Sequence, residues 1–143
     1  MRLSTKTRYA VRALIELVMK DSEGPVKLKD IAQSQEISLK YLEQVMFPLR
    51  VSGFVHTMKG SQGGYRLAKP PGEMTLLTIV ECIEGPISPV DCINNSELCE
   101  RADRCVTRGA WIKLKNAIRE TLGQINLAEL AEKQKELDQA NQH

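Results

Sequence analysis

The chain has 143 residues, of which 20 are basic and 18 acidic, with aromatic side chains at only 4%. That length suits one ordinary domain, or a small domain with an extension, and the scarcity of aromatics leaves core packing to Leu, Ile, Val and Ala. Arg2, Lys6, Arg8, Arg12, Glu16 and Lys20 interrupt the N-terminal apolar residues, which excludes a secretory signal, and no stretch reaches the roughly 18 apolar residues of a membrane span.

The expectation is a soluble, cytoplasmic protein without membrane association. In that reducing setting, cysteines bind metal or do redox work rather than form a disulfide framework. The small net charge hides an asymmetry. Residues 1–70 hold twelve basic against six acidic side chains, whereas residues 71–143 hold eight against twelve. A basic half joined to an acidic half suggests that the first half meets a polyanion.

In chain order, Ala10, Ala13, Leu14, Leu17 and Val18 recur at the spacing of one helix face, which predicts a helix over about 3–20. Asp21-Ser-Glu-Gly24-Pro25 stops it. A short helix follows over about 28–34. Ser38 is the N-cap expected for another, with Leu39, Leu42, Met46 and Leu49 on one side. Two short helices across a tight connection read as a helix-turn-helix. Gly53 ends the second. Phe54–Met58 and Tyr65–Leu67 are strand-like, and the glycine-rich segment between them predicts a hairpin. A helix-turn-helix followed by a hairpin is a winged helix.

Lys69-Pro-Pro-Gly72 breaks the chain, so residues 1–72 are expected to form the winged unit and residues 73–143 a second region. Thr75 is placed to cap a helix carrying Leu76, Ile79, Val80 and Ile83, closed by Gly85-Pro86. A long helix is predicted from about Asp103 to Gln124, with Trp111, Leu114, Ile118, Leu122 and Ile125 along one stripe. A helix of about 20 residues spans roughly 30 Å, long for so small a protein to cover, so a partner subunit is expected over it. Asn126-Leu-Ala-Glu129 reads as a capping box opening a last short helix, and residues 133–143 as a frayed tail. The fold class expected is mainly α, a winged helix-turn-helix with a two-stranded β wing plus a long C-terminal dimerisation helix.

Ser38, Lys40, Tyr41, Glu43 and Gln44 are free to face a major groove. Glu43 can accept from a cytosine amino group, Gln44 can pair with adenine, and Lys40 with guanine or a phosphate. At the hairpin tip stand Lys59, Ser61 and Gln62, where Gly60, Gly63 and Gly64 permit close backbone approach to a groove. Arg2, Lys6, Tyr9, Arg50 and Tyr65 complete the candidate DNA-contacting set.

Within the second region, between the helix closed by Gly85-Pro86 and the long helix, lies Cys92-Ile-Asn-Asn-Ser-Glu-Leu-Cys99-Glu-Arg-Ala-Asp-Arg-Cys105. Three thiols in fourteen residues of polar, irregular chain suit an iron–sulfur cluster or zinc, or act as redox-sensing thiols beside Arg101, Arg104 and Arg108. The fourth cysteine, Cys82, sits in an apolar helix and reads as a small core residue. The histidines are His56 in a predicted strand and His143 at the end, and neither a nucleotide-binding loop nor a nucleophile elbow is present. No catalytic residue is assigned, and an enzyme is not expected.

Met1-Arg-Leu-Ser-Thr-Lys-Thr-Arg-Tyr9-Ala, Ile37-Ser-Leu-Lys-Tyr-Leu-Glu-Gln44, Gly63-Gly-Tyr65-Arg-Leu and the cysteine triplet leading into Trp111 together resemble the Rrf-two family of winged-helix transcription regulators, which includes IscR, NsrR, RirA and CymR. The resemblance runs to about residue 131. It implies a homodimer on a palindromic double-stranded operator, with the long helix crossing between subunits. It also implies that Cys92, Cys99 and Cys105, in a sensor loop of about 88–105, ligate a two-iron or four-iron cluster reporting iron–sulfur, redox or nitric oxide status.

The position matching Glu43 implies discrimination between operator classes. Two positions depart from the family pattern: Arg108 stands where IscR-like members have a histidine ligand, and Arg8 where NsrR-like members have an aspartate. A guanidinium is a poor metal donor, which leaves Asp91, Glu97, Glu100, Asp103, a solvent thiol or water as fourth-ligand candidates.

Residues 84–90 and 111–130 look more like CymR, so the alternative is a metal-free CymR-like repressor of sulfur and cysteine metabolism, or a thiol switch. In either case RNA polymerase or a metabolic enzyme is a further candidate partner. A more distant alternative is a zinc-stabilised interaction module.

Overall fold

In the computed structural model, which describes residues 2–142, the chain forms six α-helices and one small antiparallel sheet. Helix α1 covers Thr5–Met19, and Ser4 caps it by accepting from the Thr7 amide at 3.1 Å. Its Ala10, Ala13, Leu14 and Leu17 are buried, the face expected from their spacing. Helix α2 (Leu28–Gln35) ends at Glu36, which adopts a left-handed φ of 55° and donates its amide to the carbonyls of Ala32 and Gln33. Ile37 is buried immediately after, and Ser38 accepts from the Tyr41 amide at 3.1 Å to open α3 (Leu39–Val51). The sharp change of direction is therefore made by one αL residue followed by one capped start.

Strands β1 (Val55–Met58) and β2 (Gly64–Leu67) pair with Val55 opposite Leu67 and Met58 opposite Gly64. Val26 adds a third, single-residue rung. It exchanges two backbone hydrogen bonds with Tyr65, at 2.9 and 2.7 Å, and so pins the wing to the segment before α2. Helix α4 covers Leu76–Glu84 and is capped by Thr75, as the sequence predicts. The cysteine segment follows as three short 3-10 turns, Asp91–Ile93, Ser96–Leu98 and Ala102–Arg104. Helix α5 covers Val106–Gly123, and α6 covers Leu127–Ala140 with Asn126 accepting from the Glu129 amide at 3.0 Å.

Two expectations need correction. The long helix starts at Val106 rather than near Asp103, because residues 102–104 close a separate turn and Cys105 is extended. Of the segment expected to be frayed, residues 133–140 are helical, for α6 runs on to Ala140, and His143 lies outside the described residues. The cap of α6, the burial of Leu127 and Ala131 against α1, and the i,i+4 Gln134–Asp138 hydrogen bond sustain the added turns.

The core draws on both halves of the chain. Leu14, Leu17, Ile31, Leu42, Met46 and Leu49 are fully buried with Met74, Ile79 and Leu127 in one continuous cluster. Backbone bonds from Leu76 N to the Ile125 carbonyl (2.8 Å) and from Leu127 N to the Met74 carbonyl (2.9 Å) bring the two inter-helix connections side by side.

At the other end of α4, one Glu84 carboxylate oxygen accepts from the Ser4 amide (2.8 Å) and the Thr7 hydroxyl (2.6 Å), tying the approach to the cysteine segment to the start of α1. The Ser4 and Thr7 bonds hold the Glu84 carboxyl below its ordinary value. Because the folded value is the lower one, Glu84 contributes stability above the usual glutamate range and loses it as pH falls through the folded value. Glu84→Gln is therefore expected to flatten the acid limb of a melting-temperature profile while leaving the neutral region less stable than wild type. An unchanged acid limb would refute this role.

Candidate nucleic-acid interface and cysteine segment

Helix α3 is divided cleanly along its length. Leu42, Val45, Met46 and Leu49 are buried, and Lys40, Glu43, Gln44, Phe47, Arg50 and Val51 are exposed. Only residues three and four apart share a face, so Lys40, Glu43, Gln44, Phe47 and Arg50 form one outward stripe. Phe47, 60% exposed, was not among the sequence candidates, although its spacing from Lys40 and Gln44 places it with them. The Arg50 guanidinium lies 6.0 Å above the Phe47 ring, an exposed cation–π pair on the same stripe. Pro48 has no amide to give the Gln44 carbonyl, so the α3 backbone is free to bend within the stripe.

The other candidates divide into exposed and inward-leaning groups. Arg2, Ser38, Lys59, Gly60, Ser61 and Gln62 are exposed, while Lys6, Tyr9, Tyr41 and Tyr65 are half-buried. Tyr9 and Tyr41 pack edge to face with centroids 5.8 Å apart at 82°, and both rest against the core with Tyr65. Tyr9 and Tyr41 position the stripe by holding α1 against α3. Arg8 is exposed and donates to the Thr5 hydroxyl at 2.9 Å.

In the wing, the glycines have distinct reasons to be glycine. A Cβ on Gly63 would stand 2.2 Å from the Met58 carbonyl oxygen, and one on Gly64 2.5 Å from the Val26 carbonyl. Those two residues serve the hairpin's own turn and its seam with Val26. Gly60, at φ 101° with open space around it, is the one at the exposed tip.

Cys92, Cys99 and Cys105 are half-buried free thiols on consecutive turns. Among the described residues, no three His, Cys, Asp or Glu side chains lie close enough to share one metal ion. The Cys105 sulfur is 3.0 Å from the Thr107 hydroxyl. That bond, then the Arg108 amide and the charge of Arg101, hold its thiol below the ordinary cysteine value. Lys115 donates to the Asn94 side chain at 2.7 Å, and Arg119 forms an ion pair with Glu81, so α5 is tied both to the cysteine segment and to α4. The Nε of Arg108 is buried without a partner. Cys82, expected in the core, is half-buried and packs against the core's edge, where it contacts the Ser52 hydroxyl at 3.2 Å.

A helix-turn-helix with an outward stripe on its second helix, and a charged hairpin beside it, defines a winged-helix DNA-binding regulator. The model of the family described as "Rrf2: Iron-dependent Transcriptional regulator" matches residues 3–133, and the chain belongs to that family. It is 40% identical to the HTH-type transcriptional regulator CymR of Bacillus subtilis over 92% of this chain and 90% of that one. It is 38% identical to the regulator IscR of Xenorhabdus nematophila over 99% of this chain and 85% of that one. Among solved structures it resembles B. subtilis CymR, titled the global cysteine regulator, with a TM-score of 0.78, 40% identity, and coverage of 92% of this chain and 97% of that one. The chain is a transcription regulator, as these relatives are, and not an enzyme.

Proposed function

We propose that the protein acts as a homodimer on a palindromic operator, reading bases with α3 and clamping phosphates or the minor groove with the wing, and that Cys92, Cys99 and Cys105 hold an iron–sulfur cluster which sets operator affinity. The observation that carries the DNA reading is the α3 stripe. Four groups with groove chemistry, Lys40, Glu43, Gln44 and Arg50, project from a helix whose opposite face is sealed in the core.

The dimer reading is supported by α5. None of its 18 residues is buried, and Val106, Trp111 and Leu114 are 90%, 39% and 43% exposed on a helix about 27 Å long. An apolar face of that length is suited to a second copy of itself.

The cluster reading rests on the donor set. Three unpaired, half-buried thiols along a run of short turns are the right ligand type for iron and sulfide. A bound cluster would supply a redox-active centre that reacts with small oxidants. The chain's own contribution is to anchor that segment, through the bond from Lys115 of α5 to Asn94 and, ahead of it, through Glu84 at the end of α4 bonded to Ser4 and Thr7. A metal-free thiol regulator is the second reading, favoured by the Thr107-assisted Cys105 thiol and by the likeness to CymR.

The DNA roles differ in kind and so in their signatures. Lys59→Ala is expected to weaken binding to specific and random DNA alike and to reduce the salt slope by about one. Gln44→Ala is expected to relax preference at one base position by about 1–3 kcal/mol while leaving the salt slope unchanged. Fluorescence anisotropy on a selected operator and on random duplex, across a salt series, separates them. Identical behaviour of the two variants on both DNAs would refute the assignment.

A further inference from the structure

Of the chain's aromatic side chains, one Trp, three Tyr and two Phe, Phe47 is the most exposed. Tyr9, Tyr41 and Tyr65 are half-buried against the core and Phe54 is buried, whereas Trp111 is 39% exposed and Phe47 60%. The outward direction of Phe47 is fixed from behind. Val45, Met46 and Leu49 are fully buried around it in sequence, so this turn of α3 cannot roll the ring inward. Val51, 69% exposed, follows four residues later on the same side of the helix.

At about 100° per residue, position 47 falls between Glu43 and Gln44 around the helix axis and within about 20° of Lys40. Phe47 is therefore the middle of the outward stripe rather than its margin. A single exposed apolar side chain is ordinary, but an adjoining aromatic and valine in the middle of a polar stripe point to a partner. Cations frame the pair, with Lys40 on one side and the Arg50 guanidinium 6.0 Å above the ring on the other. An apolar centre between cations matches a major groove. Phosphates line both walls of the groove, and its floor offers one apolar group, the C5 methyl of thymine.

We propose that Phe47 is a specificity-determining residue that selects a thymine in the operator by packing its ring on the C5 methyl, with Arg50 steadying the ring. Three residues advance a helix by about 4.5 Å, little more than the roughly 3.4 Å between successive base pairs. The thymine thus belongs to the base pair next to the one that Gln44 reads. The inference rests on the reading of α3 as the base-contacting helix. It adds to the hydrogen-bonding groups of that helix an apolar contact that recognises a methyl.

The test replaces thymine by deoxyuridine, which removes the methyl and keeps every hydrogen-bonding group. An operator is selected from a random duplex pool with the full wild-type chain, each thymine is exchanged singly, and affinities are read by fluorescence anisotropy. One exchange is expected to weaken wild-type binding about three- to fivefold, the worth of one buried methyl. Phe47→Ala should bind the unmodified operator at least threefold more weakly, and that same exchange should cost it nothing further. Phe47→Leu should keep most of the sensitivity. The side chain is exposed, so both variants should melt as wild type does. Three results would each overturn the proposal: no thymine whose methyl matters, a Phe47→Ala protein as sensitive to every exchange as wild type, or undiminished operator affinity in Phe47→Ala, which would leave the patch to a protein partner. Gln44→Ala on the same duplexes separates the two levels. If it alters base preference while Phe47→Ala does not, this inference falls and the reading of α3 stands; if neither does, both fall.

Discussion

Leu127→Ala is expected to lower the unfolding free energy by about 2–5 kcal/mol, a large share of the total for a domain of this size. Leu127 is fully buried and belongs to the same cluster as Leu14, Leu42 and Met46, more than seventy residues earlier in the chain. Its amide also closes the bond to the Met74 carbonyl that sets the two connections beside each other. Removing the side chain leaves a void where α6 meets α1, and close-packed neighbours relax only partly into it. Urea unfolding, followed by far-ultraviolet circular dichroism, would show a lower midpoint in a single transition. A second, separate transition for the C-terminal helices would contradict the shared core.

Gly64→Ala is expected to have a comparable effect by a different route. The new Cβ would stand 2.5 Å from both the carbon and the oxygen of the Val26 carbonyl, which are backbone atoms and cannot swing aside. Residue 64 also sits at φ 154°, at the edge of the region that favours glycine. Relief requires parting the Val26–Tyr65 rung, the wing's attachment to the helix-turn-helix, at a cost of about 2–3 kcal/mol. Stability and DNA affinity should fall together in this variant. Gly60→Ala, at the open tip, should cost much less, about 1 kcal/mol from its φ of 101° alone. Equal losses at the two positions would mean that the seam with Val26 does not hold the wing.

These two positions show what the sequence reveals and what it does not. Leu127 follows a readable capping box, so the helix is expected, but its packing partner is on α1, and no local pattern encodes a contact across the whole chain. The extension of α6 to Ala140 was hidden for the same reason, since a polar composition rich in Gln, Glu and Lys reads as a tail until α1 is placed beside it. The helix pair, hairpin and caps at Ser38, Thr75 and Asn126 were legible because capping and apolar spacing are local properties.

The α3 stripe was legible in the same way, except for Phe47, which stood in neither set, and Leu39, expected on the apolar side with Leu42, Met46 and Leu49 but exposed at the start of the helix. A glycine-rich tip suggests close approach to DNA, whereas Gly63 and Gly64 answer first to their own backbone neighbours. Thr107 beside Cys105, and Glu84 beneath Ser4 and Thr7, act through geometry that spacing alone does not display.

The central claim joins the cysteine segment to the DNA-reading face, and the most direct measurement is made on protein purified without air. Its visible absorption, iron and acid-labile sulfide are determined alongside its affinity for a selected operator. The account predicts a coloured protein with iron and sulfide in equal proportion. Cys92→Ala, Cys99→Ala and Cys105→Ala should each abolish the colour and alter operator affinity while leaving the fold intact. A colourless protein without iron or sulfide, whose three cysteine variants bind the operator as wild type does, would contradict it.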